Sequence, residues 1–191
     1  MARHVFLTGV TGFVGKVVLE TLLRRGVERV SVLVRPSRDR QGRLQTAEAR
    51  FAQTARAACF AQLPAGWSER VEVVSGELQR PDCGLESASA ERLRSTVTHV
   101  IHCAASVEFD LPVAEAASAN IASALEVLEF ARTCPRLSGM VDVSTAYVNV
   151  WRPGPIEERL AHLPMSAESL YRGFRATFGE GREWLALTGH P

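Results

Sequence analysis

Three glycines spaced three apart, Gly9, Gly12 and Gly15, are the residues best suited to chemistry in this chain. They lie in Thr8-Gly9-Val10-Thr11-Gly12-Phe13-Val14-Gly15. The apolar run His4-Val5-Phe6-Leu7 precedes that stretch, and an apolar-periodic segment from Val14 to Leu23 follows it. Strand, glycine turn and helix in that order form the context of a dinucleotide-binding fingerprint. Gly9 permits the tight turn, Gly12 lets main chain approach a diphosphate, and Gly15 allows close helix–sheet packing. The diphosphate would rest on unpaired N–H groups at the positive end of the helix dipole. Thr8, Gly9, Thr11, Gly12, Phe13, Val14 and Gly15 are therefore candidate coenzyme-binding residues. The glycine pattern is G-x-x-G-x-x-G, one residue wider at its first step than the usual G-x-G-x-x-G.

The next chemical signal follows the second apolar run, Arg29-Val30-Ser31-Val32-Leu33-Val34. An Asp or Glu at this place binds the ribose 2′-hydroxyl of NAD. Here it is occupied by Arg35, with Ser37, Arg38 and Arg40 close behind. A carboxylate would repel a 2′-phosphate, whereas a guanidinium pairs with it bidentately. Arg35 and Arg38 thus point to NADP(H); the competing reading is a solvated basic loop. Glu77 and Leu78 follow a third apolar run, where a nucleotide base would lie. Glu77 is either a hydrogen-bond partner of the adenine amino group or a turn residue. Cys103-Ala104-Ala105-Ser106 are small residues after a fourth run, and they would let a ligand touch the backbone. Ser144 and Thr145 place hydroxyls after a fifth run. Asn120 interrupts an amphipathic helix, as a surface position or as a polar anchor for the active-site backbone or a proton-relay water. His102 ends a buried strand, and a hydrogen-bonded core histidine is preferred there over a catalytic base.

These groups need elements to position them. Strands are predicted at 3–8, 29–34, 70–75, 98–102 and 139–143, and helices at 13–25, 45–63, 86–95 and 112–133. Gly26 caps the first helix, whose predicted face is Val14, Val17, Val18, Thr21 and Leu22. Ala117, Ile121, Leu125, Leu128 and Ala131 form the predicted face of the last. Alternating strands and helices give an α/β fold, a Rossmann-like doubly wound parallel sheet of order 3-2-1-4-5. Residues 1–150 are expected to form the NADP(H)-binding domain, with one or two helical stretches and no clear strand after it.

Composition narrows the function classes. The chain has 191 residues, 46% of them hydrophobic, and a net charge of +1. That charge gives no electrostatic case for a nucleic acid partner. There is no apolar run long enough for a transmembrane segment and no signal peptide, so a cytoplasmic protein is expected. Cys59, Cys83, Cys103 and Cys134 are too dispersed for a metal site and read as small hydrophobes in a reducing compartment.

Four stretches together resemble the extended short-chain dehydrogenase/reductase superfamily, and within it the fatty acyl-CoA reductase (male-sterility-type) branch. They are Phe6 to Lys16, Leu33-Val34-Arg35, Val100 to Asp110, and Val143-Ser144-Thr145-Ala146-Tyr147-Val148-Asn149. The resemblance implies hydride transfer from NADPH to an acyl-CoA or acyl-carrier thioester, yielding an aldehyde and, in some members, an alcohol. It maps the oxyanion-stabilising hydroxyl onto Thr145, with Ser144 as the neighbouring candidate, and matches Asn120 to the superfamily's helix asparagine. Glu77 departs from the aspartate more usual there. The family's Tyr-x-x-x-Lys pair does not map. Lys16 is the only lysine, Tyr171 is followed four residues later by Arg175, and Tyr147 has no lysine partner. The resemblance thus implies a cofactor-binding part, with 151–191 as the truncated start of a substrate and catalytic-helix region, whose catalytic tyrosine and C-terminal strands are missing. Thioester-reductase domains of carboxylic acid reductases and peptide synthetases, and sugar-nucleotide epimerases or dehydratases, are the enzymatic alternatives. The long crossover between the second and third strands favours a thioester reductase over a sugar enzyme. A non-catalytic NADP(H)-binding module is the alternative outside enzymes.

Overall fold

The computed structural model describes residues 2–145, 154–159 and 165–176. Its main sheet has five parallel strands: β1 (His4–Thr8), β2 (Arg29–Val34), β3 (Val71–Ser75), β4 (His99–His102) and β5 (Gly139–Asp142). Their order is β3-β2-β1-β4-β5, the order expected of a Rossmann-like sheet. Thr8 pairs with Leu33 and His102, so the carboxyl ends of β1, β2 and β4 lie level. A small antiparallel ladder, Ser37–Arg38 with Leu44–Gln45, follows β2.

Helices cover both faces. On one, α1 (Phe13–Arg24) and α2 (Ala47–Thr54) pack over Leu7, Val30, Val32 and Val34. On the other, α3 (Ser87–Thr96) and α5 (Ser123–Arg132) pack over Phe6, Leu33 and Val100. Phe6 and Leu7 enter opposite layers because side chains alternate along a strand. All five residues of β1 are buried, as expected for a central parallel strand.

Three predicted helices are corrected. The segment expected over 45–63 is helical only over Ala47–Thr54 and then forms a 3₁₀ turn, Ala58–Phe60. Aromatic packing favours the break: Phe60 stacks on Trp67 with ring centroids 5.0 Å apart, and Phe51 meets the same ring edge-on at 6.5 Å. The run expected over 112–133 is α4 (Val113–Ala117), a π turn (Ser118–Ala122) and α5. A π turn shifts the phase of the following helix. Ser123, Val127, Phe130 and Ala131 are therefore buried in α5, while Ile121 and Leu128 of the predicted stripe are exposed. In α1 the buried row is Gly15, Leu19 and Leu23, because Gly15 must face Gly9; Val14 and Val17 are exposed.

At the amino end of the sheet, buried His4 bridges strands and helix. Its Nδ1 is 3.1 Å from Thr96 Oγ1, and its Nε2 is 2.8 Å from Ser31 Oγ. Burial, then the Arg29 charge, lowers its pKa from 6.5 to about 4; the Glu72 carboxylate opposes that shift and Arg92 adds to it. The unfolded chain therefore takes up this proton first, and stability falls as pH drops from about 6.5 towards 4. The slope from this one group approaches about 1.4 kcal/mol per pH unit. Denaturant unfolding of wild type and His4→Gln across that range should show the slope reduced in the variant. Parallel curves would contradict the assignment.

Candidate coenzyme-binding cleft

A cleft of about 390 Å³ opens at the carboxyl ends of the strands. Gly9, Thr11 and Gly12 line it between β1 and α1. Gly9 is left-handed (φ +76°), and a Cβ there would lie 2.5 Å from the Cys103 carbonyl carbon and 2.6 Å from the Ala104 nitrogen. A Cβ on Gly15 would collide with the Gly9 carbonyl oxygen and lie 2.6 Å from its carbon. The Gly12 N–H donates to the Gly9 carbonyl at 3.0 Å, closing the turn. No side chain caps α1, and its first turn has no acidic residue. The first N–H groups of such a helix suit an anionic ligand, so this cradle fits a dinucleotide diphosphate.

One end of the cleft is lined by Leu33, Val34, Arg35, Arg50, Glu77, Leu78 and Gln79. Arg35 and Glu77 face each other, with 3.6 Å between Nη1 and Oε1. Leu78 also packs against the core. Sequence reasoning missed Arg50, which α2 brings from fifteen residues further on. Its Nη1 donates to the Arg35 carbonyl oxygen. Burial and then the Arg35 charge lower its pKa. The available signal was an arginine beside the buried Phe51 in an alanine-rich helix. Arg38 does not line the cleft; its Nη1 donates to the Gly42 carbonyl at 2.7 Å within the small ladder.

Cys103, Ala104, Ala105 and Ser106 form the opposite wall with Val107, Glu108, Ala119 and Ser123. Thr8 stands behind this wall, fully buried, with Oγ1 2.6 Å from His102 Nδ1 and accepting the Cys103 N–H at 3.3 Å. His102 is itself buried, which lowers its pKa against the opposing pull of Asp142. Phe13 and Val14 turn their side chains to solvent, so only their main chain is placed to meet a ligand.

Asn120 occupies the π turn and brackets Ser106. Its Oδ1 accepts the Ser106 N–H at 2.7 Å, and its Nδ2 donates to the Ser106 carbonyl at 3.1 Å. Asn120 is itself exposed, and these two bonds tie its side chain to the Ser106 main chain. Asn120→Ala should expose that N–H to exchange and cost about 1 kcal/mol of order in the wall. Amide hydrogen exchange at Ser106 measures this; unchanged protection would contradict it. Ser144 and Thr145 follow β5 on the same rim, where the Val143 N–H donates to the His102 carbonyl at 2.9 Å. Both are exposed and neither lines the cleft. Ala146, Tyr147, Val148 and Asn149 lie outside the described residues. Among the described residues, no helix is long and apolar enough to cross a membrane.

Residues 7–181 match an NAD-binding family model described as male sterility protein. The chain is 36% identical over 150 residues to fatty acyl-CoA reductase 1 of Gallus gallus, which covers 76% of this chain and 28% of that protein. It is 30% identical over 188 residues to fatty acyl-CoA reductase 1 of Xenopus laevis, covering 96% of this chain and 34% of that one. The chain thus spans about a third of the length of these relatives. Among solved structures, the terminal R domain of the myxalamid PKS-NRPS pathway superposes with a TM-score of 0.62 at 30% identity, covering 75% of this chain and 35% of that one. The reductase (R) domain of a non-ribosomal peptide synthetase from Mycobacterium tuberculosis gives 0.61 at 32% identity, covering 79% and 35%.

Proposed function

The chain belongs to the NAD-binding male sterility protein family, and from that premise we propose that it is the coenzyme-binding part of a reductase that uses NADPH to reduce an acyl thioester, such as a fatty acyl-CoA, to an aldehyde or alcohol. One observation carries the proposal: the glycine-floored cleft ends in two arginines, Arg35 and Arg50, the second bonded to the main chain of the first. Reductase domains of peptide synthetases at 30–32% identity support a carrier-bound thioester as an alternative form of the same substrate class.

A bound reduced nicotinamide supplies the hydride. The chain's own groups bind and orient. Main-chain amides of the Gly9–Gly15 turn hold the diphosphate, and Arg35 with Arg50 holds the 2′-phosphate. Cys103 to Ser106 bring main chain close to the coenzyme, with Ser106 held by Asn120. Ser144 and Thr145 offer hydroxyl donors to the thioester carbonyl oxygen as it gains negative charge. Proton delivery in the resembled superfamily uses a tyrosine beside a lysine. The only lysine here is Lys16, in α1.

The 191-residue chain should therefore bind NADPH saturably yet oxidise it only at the background rate when given a long-chain acyl-CoA. Reduced-nicotinamide fluorescence follows both properties. Absence of binding would overturn the coenzyme reading, and turnover would identify a proton donor within these residues.

A further inference from the structure

Arg35, Arg50 and Glu77 reach the coenzyme cleft from three places: the end of β2, α2, and the turn after β3. The Arg50 guanidinium donates to the Arg35 carbonyl oxygen, so the two cationic residues are tied together. Glu77 is the carboxylate facing Arg35, 3.6 Å from its Nη1. Its backbone is pinned. The Glu77 N–H donates to the Cys83 carbonyl at 2.8 Å, and its own carbonyl accepts the Arg80 N–H at 3.0 Å. Left-handed Gly84 packs so close that a Cβ there would stand 2.6 Å from the Glu77 nitrogen. The carboxylate therefore has a fixed origin and a short reach, and that reach ends on Arg35.

A phosphate monoester carries a charge of about −1.5 to −2 near neutral pH. In this end of the cleft it meets two guanidiniums and one carboxylate. Resting on the NADPH reading, we propose that Glu77 limits the NADPH preference of this cleft: it holds Arg35 in an ion pair that a 2′-phosphate must displace. NADH carries no 2′-phosphate and leaves the pair intact. The opposing effect of Glu77 is thus confined to NADPH. Preference for NADPH persists because the two arginines outweigh the single carboxylate, but it is smaller than they would give alone. Removing one like charge from an electrostatically matched contact is a specificity change before it is a change in general affinity.

The test is a set of dissociation constants for NADPH and NADH, measured on the full chain by fluorescence titration. Glu77→Gln keeps the shape and removes the charge. It should tighten NADPH binding about tenfold and move NADH binding less than about threefold, widening the ratio between them. Glu77→Ala should change the ratio in the same direction. In an Arg35→Gln background, Glu77→Gln should shift NADPH affinity by less than about threefold, because the ion pair is already gone. Circular dichroism confirms that each variant is folded. A ratio that stays constant or narrows in both Glu77 variants would overturn the proposal. If Arg35→Gln collapses the ratio while the Glu77 variants leave it unchanged, the inference about Glu77 fails alone. If wild type binds neither coenzyme, or Arg35→Gln leaves the ratio untouched, the NADPH reading fails and takes this inference with it.

Discussion

Gly12→Val is expected to abolish coenzyme binding while leaving the fold intact. Gly12 has φ −80° and ψ 175°, an extended conformation that valine adopts readily. A Cβ placed there meets only the Gly9 carbonyl oxygen, at 3.3 Å. The other two glycines differ in kind. Gly9 is left-handed, with the Cys103–Ala104 peptide 2.5 to 2.6 Å from a prospective Cβ, and Gly15 is pressed against the Gly9 peptide. Substitution at either perturbs the sheet-to-helix junction itself. At Gly12 the new side chain instead stands on the cleft floor, where a diphosphate requires bare backbone. NADPH affinity should fall more than about a hundredfold, about 3 kcal/mol, with the far-UV circular dichroism and thermal midpoint close to wild type. Retained affinity in a folded Gly12→Val protein would remove the glycine cradle from the account.

Arg35→Gln should weaken NADPH binding about thirtyfold and change NADH binding little. A charge-assisted hydrogen bond to phosphate contributes about 1.5–3 kcal/mol. The residue is well exposed, with 59% of its side chain accessible, so its removal leaves no buried cavity and little folding cost. Arg50 remains tied to the same main chain and retains part of the attraction. Competitive titration of the two reduced coenzymes reads the change directly. An equal loss for both coenzymes would move Arg35 away from the 2′-phosphate.

Much of the scaffold was legible because its signals are local. The β-branched run Arg29–Val34 announces a buried parallel strand and has those bounds in the structure. Gly26, just past α1, is left-handed at φ +75°, as a helix-ending glycine should be. Alternation implies parallel strands joined by crossovers, and the glycine fingerprint after β1 points to the Rossmann order that the sheet has. The site was less legible where it depends on distance in the chain. Arg50 reaches the cleft because α2 packs on β2 and β3 through Phe51, a contact that no local spacing encodes. The Arg35–Glu77 pair spans two strands in the same way. The buried face of α5 departs from the predicted stripe because one π turn, invisible to a fixed helical period, resets its phase. That turn also carries Asn120, so the residue that interrupts the pattern is the one that holds the cleft wall.

The most direct measurement is a crystal structure of the chain grown with NADP⁺. The account predicts the diphosphate on the main-chain amides around Gly12, the 2′-phosphate between Arg35 and Arg50, and the nicotinamide end towards the rim that bears Cys103 to Ser106. A dinucleotide bound away from the Gly9–Gly15 turn, or held there with its 2′-phosphate turned away from both arginines, would contradict it.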